Sequence, residues 1–118
     1  GGDALHIGTL GVGKMVGDVR GDHDNLEACL EASEHYKTVM PVCSGGVYPG
    51  MIGRLVEESG TNVQIQAGGG VAGHPGGVRK GAMGMCQAVD AAYLGIPVGE
   101  YAESRPELKA ALELWGIK

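Results

Sequence analysis

The sequence predicts an α/β fold in which short strands alternate with helices. Three apolar runs each lead into a glycine-rich stretch, and a segment with the apolar spacing of a helix follows each stretch. Strands that are separated by helices pair in parallel through right-handed crossovers. We therefore expect a parallel sheet with helices packed against it.

The first predicted unit is a buried strand over residues 4–7, a glycine loop and a helix. The helix is expected to begin at Asp24, because Asp24 and Glu27 have the spacing of a capping box. Three residues would form its apolar stripe: Leu26, Cys29 and Leu30.

The second predicted unit is a strand over residues 38–43 and a helix from Pro49 to Gly60. Pro41 argues against a central strand, because proline cannot donate a ladder hydrogen bond. Pro49 suits the first turn of a helix, and Gly60 suits its end. Four residues of this helix are expected to face inward: Met51, Ile52, Leu55 and Val56.

The third predicted unit is a strand over residues 62–67, three consecutive glycines and a long helix over residues 77–95. The expected inward face of that helix is Val78, Ala82, Met85, Val89 and Ala92. Residues 96–118 are expected to form a C-terminal helical tail, with Ser104 and Glu107 as a capping box. Its apolar face would be Leu108, Ala111, Leu112 and Trp115.

The length predicts part of a larger domain. A (β/α)8 TIM barrel needs about 250 residues, and this chain has 118. We expect residues 1–118 to be a single partial domain, the C-terminal part of such a barrel, with about three β/α units plus the C-terminal helix.

Composition excludes several function classes. The net charge of −5 argues against a nucleic-acid surface, and there is no apolar run of about 20 residues that would span a membrane. The three cysteines lack a paired CxxC spacing, so we expect neither a disulfide framework nor a zinc site. We therefore expect a cytoplasmic protein. The 23 glycines cluster in loops, which indicates either backbone conformations with positive φ or close approach of the backbone to a ligand.

The glycine loops hold the residues that could perform chemistry. Lys14 could be carried onto a reacting centre by a closing loop, although a solvated lysine is an alternative. The backbone amides after Ser44 and around Gly68 could bind phosphate, although tight turns alone are an alternative. His6 could bind a phosphate or an oxyanion, or be a buried histidine, and His74 is interpreted as a loop-shaping residue.

The acidic residues do not predict a metal site. Asp3, Asp18, Asp22 and Asp24 lie on one loop and its neighbours, whereas magnesium ligands are expected to converge from separate strand ends. If the protein uses a metal, its ligands are expected outside this chain.

At these loops the sequence resembles the C-terminal barrel of the large subunit of ribulose-1,5-bisphosphate carboxylase/oxygenase. The likeness covers essentially the whole chain, and three ordered segments carry it: GGDALHIGT with Gly13-Lys14-Met15, PVCSGG at 41–46, and QAGGG at 66–70 with Gly73-His74-Pro75. The extra residue within 8–14 and the ending over 106–116 resemble the archaeal form III group, which implies nucleotide salvage. Tyr48 departs from the family pattern, because a histidine is often found there.

The resemblance implies a role for each matched residue. Lys14 would be the catalytic lysine of a mobile loop, which stabilises the carboxylated intermediate and orients carbon dioxide. His6 would bind the phosphate on carbon 5, Ser44 a substrate hydroxyl, and the glycine amides the phosphate on carbon 1. Seven residues are expected to bind substrate: His6, Ser44, Gly45, Gly46, Gln66, Gly68 and Gly69.

The resemblance also implies an activity and partners. The expected activity is the carboxylation and oxygenation of ribulose 1,5-bisphosphate to 3-phosphoglycerate, with Mg²⁺ bound outside this chain, in a homo-oligomer built from dimers. The 118 residues alone are expected to be inactive. Two alternatives remain open, which are a carboxylase-like isomerase or enolase of sulfur salvage and a noncatalytic partial barrel that binds phosphates.

Overall fold

The structure is a computed structural model that describes residues 2–13 and 18–118. In these ranges a three-stranded parallel sheet is combined with helices, which confirms the predicted α/β class. The strands are β1 (Ala4–Gly8), β2 (Met40–Cys43) and β3 (Gln64–Ile65). The α-helices are α1 (Val19–Leu30), α2 (Ile52–Ser59), α3 (Gly69–Ala72), α4 (Val78–Leu94), α5 (Val98–Tyr101) and α6 (Pro106–Trp115).

Strand β2 lies between β1 and β3, and it tolerates Pro41 at this central position. Met40 and Ser44 donate their backbone N–H groups towards β1, to the carbonyls of Asp3 and Gly8. Successive N–H groups of a strand point to opposite sides, so the missing donor of Pro41 faces β3. The β2–β3 register begins only at Val42, one residue later, and no ladder bond is lost.

The strands are shorter and more exposed than the sequence predicts. Strand β3 has two residues instead of the predicted six, and β2 begins two residues later than predicted. The prediction of a buried first strand is wrong, because only Ile7 of β1 is buried. Strand β1 is an edge strand of the described sheet, with a neighbour on one side only.

The N-cap of helix α1 lies six residues before the predicted N-cap, Asp24. Asp18 is its N-cap, and the Asp18 carboxylate accepts a hydrogen bond from the N–H of Arg20 at 3.1 Å. Asp24 is therefore an exposed residue inside the helix, and the predicted capping box is wrong. The predicted apolar stripe is confirmed at Leu26 and Cys29, which are buried.

Helix α2 agrees with the sequence. A 3-10 turn begins at Pro49 and leads into the helix, and Gly60 ends it with a positive φ of 74°. Met51, Ile52 and Leu55 are fully buried, as predicted.

Helix α4 has the predicted bounds but a different buried face. Five residues of α4 are buried, four of them small: Gly81, Gly84, Met85, Ala88 and Ala91. Of the predicted inward residues, Val78 and Val89 are exposed and only Met85 is buried. Small side chains allow α3 and α6 to approach closely, since a Cβ at Gly81 would overlap the Val71 carbonyl and one at Gly84 would lie 3.2 Å from the Glu107 carbonyl.

Helix α6 packs on α4 through the predicted apolar face. Leu108 and Ala111 are buried, and Leu112 and Trp115 pack against the core. The predicted Ser104–Glu107 capping box is wrong, because Arg105 is the N-cap and has no side-chain cap bond. The Glu107 carboxylate instead accepts a hydrogen bond from the Gln87 amide of α4 at 3.2 Å.

None of the helices within 2–13 and 18–118 combines the length and the apolar character needed to cross a membrane.

Candidate active site

The three strands end side by side, which places the loops that follow them at one edge of the sheet. Gly8 of β1 is in register with Cys43 of β2, and Cys43 is in register with Ile65 of β3. We call residues 9–13 the first loop, residues 44–48 the second loop and residues 66–68 the third loop. Five of the seven predicted binding residues lie in the second and third loops, and Gly69 is the first residue of α3.

His6 and Ser44 are in direct contact across β1 and β2. The Nδ1 atom of His6 lies 2.6 Å from the Oγ atom of Ser44, and the tautomer of the ring decides which of the two donates. His6 is exposed, so the alternative interpretation of a buried histidine is wrong. The pair presents an imidazole and a hydroxyl at the strand-end edge, where either could contact an oxygen of a bound ligand.

The second loop turns sharply at two glycines. Gly45 and Gly46 have positive φ angles of 112° and 70°, which side chains with a Cβ rarely adopt. Among the described residues, apart from Gly46 and its two chain neighbours, no atom lies within 4 Å of the position that a Gly46 Cβ would occupy. The backbone at Gly46 is therefore open to a ligand.

The third loop leads into the short helix α3. Gln66 is exposed, and its backbone N–H donates to the Cys43 carbonyl at 2.9 Å, which continues the parallel pairing by one residue. Gly68 is the N-cap of α3, and the space around Gly68 and Gly69 is open. The N–H groups in the first turn of a helix have no acceptor within the helix. The glycines that sequence analysis placed in a loop thus partly form a helix start.

The second loop and helix α3 pack against each other. A Cβ at Gly70 would overlap the Val47 carbonyl, so only glycine fits at this contact. The Tyr48 ring is buried and stacks on the Trp115 ring of α6, with centroids 6.2 Å apart. Tyr48, which departs from the family pattern, is therefore part of the packing beneath the loops.

The structure confirms that His74 shapes a loop. His74 is buried, its Nδ1 atom accepts a hydrogen bond from the Gly76 N–H at 2.9 Å, and its Nε2 atom lies 2.9 Å from the Glu107 carbonyl. A neutral ring with the proton on Nε2 satisfies both contacts. His74 thereby connects the segment after α3 with α6.

Lys14, the predicted catalytic residue, lies outside the described residues. The first loop, which precedes it, is described, and the carboxylate of Asp22 in α1 accepts hydrogen bonds from the N–H groups of Thr9 and Leu10. From the sequence, Asp22 was a candidate for metal binding only, and this contact was not predicted. The available signal was an acidic residue in the first turn of the helix that follows a glycine loop.

Asp22 also affects the end of β2. Burial raises the pKa of the Cys43 thiol above its ordinary value of 9.0, and the nearby Asp22 charge acts in the same direction. A hydrogen bond with Ser59 opposes both effects. We therefore expect Cys43 to remain a neutral thiol, which favours a packing role over a nucleophilic one.

A cavity of 610 Å³ lies elsewhere, between α2, α4 and the C-terminal residues. None of the seven predicted binding residues, all of which are described, lines it. Open glycine backbone and polar side chains occur together at the strand-end edge, and we therefore take that edge as the candidate active site.

The chain is similar to known proteins over almost its whole length. Residues 1–115 match the family described as "Ribulose bisphosphate carboxylase large chain, catalytic domain". The ribulose bisphosphate carboxylase of Pyrococcus furiosus is 47% identical over 114 residues, which cover 97% of this chain and 27% of that protein. A 2,3-diketo-5-methylthiopentyl-1-phosphate enolase of Exiguobacterium sibiricum is 46% identical over 81 residues, which cover 69% of this chain and 20% of that protein.

The solved structures include the octameric ribulose-1,5-bisphosphate carboxylase/oxygenase of Pyrococcus horikoshii OT3. It superposes with a TM-score of 0.91 at 44% identity, over 97% of this chain and 27% of that chain. This chain thus spans about a quarter of the length of the relatives it matches. The match over residues 1–115 shows that the chain belongs to the ribulose bisphosphate carboxylase large-chain family, within its catalytic domain.

Proposed function

We propose that this chain is part of a ribulose-bisphosphate carboxylase/oxygenase. The reaction is the carboxylation of ribulose 1,5-bisphosphate to 3-phosphoglycerate, which makes the enzyme a lyase, with oxygenation as a second, monooxygenase reaction. The observation that carries the proposal is the 2.6 Å contact between His6 and Ser44 beside two open glycine loops. A bisphosphate needs two anion sites and a polar contact between them, and this edge offers groups suited to each.

The glycine backbone is suited to the phosphate on carbon 1. Gly46, Gly68 and Gly69 have open space where a Cβ would be, so a phosphate oxygen can approach their N–H groups closely. Gly45 sets the turn that leads to Gly46, and Gln66 lies at the start of the third loop. All five are proposed to bind or shape the substrate site.

The side chains of His6 and Ser44 are suited to the other end of the substrate. In the proposal, His6 binds the phosphate on carbon 5 and Ser44 binds a substrate hydroxyl. An imidazole and a hydroxyl already within hydrogen-bond distance are preorganised, so substrate binding orders few additional groups.

Lys14 is proposed to be the catalytic residue. Its ammonium would stabilise negative charge on the carboxylated intermediate and orient carbon dioxide, as expected of a cation that reaches the site when a loop closes. The lysine follows directly after Gly13, the last described residue of the first loop.

The rest of the site is proposed to come from outside this chain. We propose that residues 1–118 are a partial domain of a (β/α)8 barrel, with residues 96–118 as its C-terminal tail. Within the described ranges, no three His, Cys, Asp or Glu side chains are placed to hold a metal ion. The family implies a Mg²⁺ ion, which would polarise substrate oxygens. The described residues of this chain do not provide a set of ligands that fits this ion.

The assembly and location are also proposals. A homo-oligomer built from dimers agrees with the octameric form of the Pyrococcus horikoshii relative. A reducing cytoplasm agrees with three cysteines that are all free.

A hybrid enzyme tests the proposed function. In it, this chain replaces the matching 27% of the Pyrococcus furiosus carboxylase. We expect carbon dioxide fixation with ribulose 1,5-bisphosphate and Mg²⁺. Ser44→Ala should raise KM for the bisphosphate about tenfold, which corresponds to the loss of one substrate hydrogen bond. Ser33→Ala, an exposed serine outside the strand-end edge, is the control. A folded hybrid that fixes no carbon dioxide would contradict the proposal.

The second candidate is an enolase of sulfur salvage, which the relative from Exiguobacterium sibiricum favours. A second hybrid, in which this chain replaces the matching segment of that enolase, distinguishes the two candidate functions. The carboxylase proposal predicts fixation in the first hybrid and little turnover of 2,3-diketo-5-methylthiopentyl 1-phosphate in the second. The reverse pattern would favour the enolase, and binding of phosphate without turnover in either would favour a noncatalytic domain.

A further inference from the structure

A carboxylate in helix α1 accepts hydrogen bonds from the backbone of the first loop, which precedes that helix. The Oδ2 atom of Asp22 accepts hydrogen bonds from the backbone N–H groups of Thr9 at 3.2 Å and Leu10 at 3.0 Å. These residues are 13 and 12 positions earlier in the chain. Hydrogen bonds to an ionised acceptor are among the stronger ones in proteins.

Asp22 does not serve the usual purpose of an acidic residue at a helix start. Such residues generally accept hydrogen bonds from the N–H groups of their own first turn. In α1, Asp18 has that role, because its carboxylate accepts from the Arg20 N–H. Asp22 lies one turn after the N-cap, and its carboxylate contacts the preceding loop instead.

The loop backbone is shaped to receive the carboxylate. A Cβ at Gly8 would lie 2.5 Å from both Asp22 oxygens, so only glycine leaves room for the side chain. Leu10 has a φ of 53°, in the left-handed region that residues with a Cβ rarely adopt. Its N–H is one of the two donors to Asp22, and its side chain is buried.

The turn over residues 9–13, whose backbone contacts Asp22, ends directly before Lys14. The Thr9 carbonyl accepts a hydrogen bond from the Val12 N–H at 2.9 Å, and the Thr9 Oγ1 atom accepts one from the Gly13 N–H at 3.1 Å. Thr9 is therefore connected to Asp22 on one side and to Gly13 on the other. The position of Gly13 fixes where the chain enters the segment that carries Lys14.

We infer that Asp22 is a positioning residue for the catalytic lysine: its carboxylate fixes the turn over residues 9–13, from which the Lys14 segment begins. The inference rests on the proposed function, because it assigns Asp22 a role through Lys14. Asp22 contacts the backbone of the first loop, whereas the residues proposed to bind phosphate lie in β1, in the other two loops and at the start of α3. Loss of the carboxylate should therefore affect turnover and leave binding of the bisphosphate intact.

Three variants of the hybrid enzyme test this inference. Asp22→Ala removes the acceptor. Asp22→Asn keeps one side-chain oxygen that can accept both N–H groups, as Oδ2 does now. Asp24→Ala removes an exposed carboxylate from the same helix and is the control for lost charge.

We expect Asp22→Ala to lower kcat by about tenfold to a hundredfold, since a misplacement of about 1 Å can cost that much. KM for ribulose 1,5-bisphosphate should stay within about twofold, Asp22→Asn should recover most of kcat, and Asp24→Ala should match the unsubstituted hybrid. Equal kcat values for Asp22→Ala and Asp24→Ala would overturn the inference. A rise in KM as large as the fall in kcat, or no recovery in Asp22→Asn, would also overturn it.

A second measurement does not depend on activity. In NMR spectra of the 118-residue chain, the amide protons of Thr9 and Leu10 should exchange with solvent faster in Asp22→Ala and not in Asp22→Asn. Unchanged exchange in Asp22→Ala would overturn the inference even if the hybrid is active. An inactive unsubstituted hybrid with the expected exchange pattern would contradict the proposed function and leave the Asp22 contact established.

Discussion

The first loop and the other two loops of the candidate site are held in different ways. Besides the burial of Leu10 and Val12 in the core, the backbone of the first loop is fixed by side-chain oxygens, those of Asp22 and Thr9. The second loop and α3 are fixed by packing, through the contact of Gly70 with Val47 and the stacking of Tyr48 on Trp115. Polar contacts can be removed one at a time, whereas packing is shared with the core. The loop next to the proposed catalytic lysine can thus be altered separately from the proposed phosphate site.

Helix α6 explains why the second loop and α3 depend on the core. His74 connects the segment after α3 to the Glu107 carbonyl, and Trp115 lies against Tyr48 and beside Gly73. The Lys118 N–H donates to the Gly50 carbonyl, just after the second loop. Substitutions in α6 should therefore change stability and the proposed phosphate site together.

The largest expected effect on stability is that of Leu108→Ala. Leu108 is fully buried between α6 and α4, and its truncation should lower the free energy of unfolding by about 2–5 kcal/mol. Urea unfolding of the chain measures this, and amide exchange should rise at Gly69–Ala72 more than at Thr9 and Leu10. Leu114→Ala, on the exposed side of α6, should cost less than about 1 kcal/mol. An equal loss of unfolding free energy in Leu108→Ala and Leu114→Ala would show that α6 does not pack as described.

A smaller effect is expected from a matched pair of glycine substitutions in α3. Gly70→Ala places a Cβ against the Val47 carbonyl and should destabilise by about 1–3 kcal/mol. Gly69→Ala, where the space is open, should be neutral or stabilise by up to about 1 kcal/mol. Thermal unfolding of both variants gives the comparison. A similar Tm for the two would mean that the second loop and α3 are not in contact.

The smallest effect concerns the pH dependence of α6 docking. The Gln87 hydrogen bond lowers the pKa of Glu107 below its ordinary value of 4.5, and its own backbone N–H adds to this. Because the pKa is lower in the folded state, the stabilisation is present above pH 4.5 and is lost as the pH falls through the folded-state pKa.

Glu107→Gln removes this titration, so its stability should fall less between pH 6 and about pH 3 than that of the unsubstituted chain. Urea midpoints across this range measure the effect. Glu113→Gln, exposed on the same helix, is the control for a lost charge. If Glu113→Gln flattens the pH profile as much as Glu107→Gln, the Gln87 contact is not its cause.

The sequence predicted the features that depend on local chemistry. The bounds of α4 follow from its apolar spacing and from Gly95, which ends the helix in the left-handed region with a φ of 68°. The open glycine backbone beside Ser44 was predicted from the position of Gly45 and Gly46 at the end of a strand. The resemblance to the carboxylase family, now confirmed, rests on the same glycine segments.

Features that depend on tertiary packing were not predicted. The prediction of the buried face of α4 is wrong. Gly81 and Gly84 are only weakly apolar, so the apolar spacing does not mark them, and yet they lie at the close contacts with α3 and α6. The start of α1 is wrong because Gly21, a poor helix former, lies inside the helix. The Asp22 contact depends on the path of the first loop, which residue spacing does not define.

The measurement that tests the central claim most directly is carbon dioxide fixation by the hybrid enzyme with and without Lys14→Ala. Lys37→Ala, an exposed lysine before β2, is the control. The account predicts that Lys14→Ala lowers kcat by at least about a hundredfold, as expected when a preorganised charge is removed from a developing oxyanion, while the bisphosphate still binds. Equal fixation by the Lys14→Ala and Lys37→Ala hybrids would contradict the account.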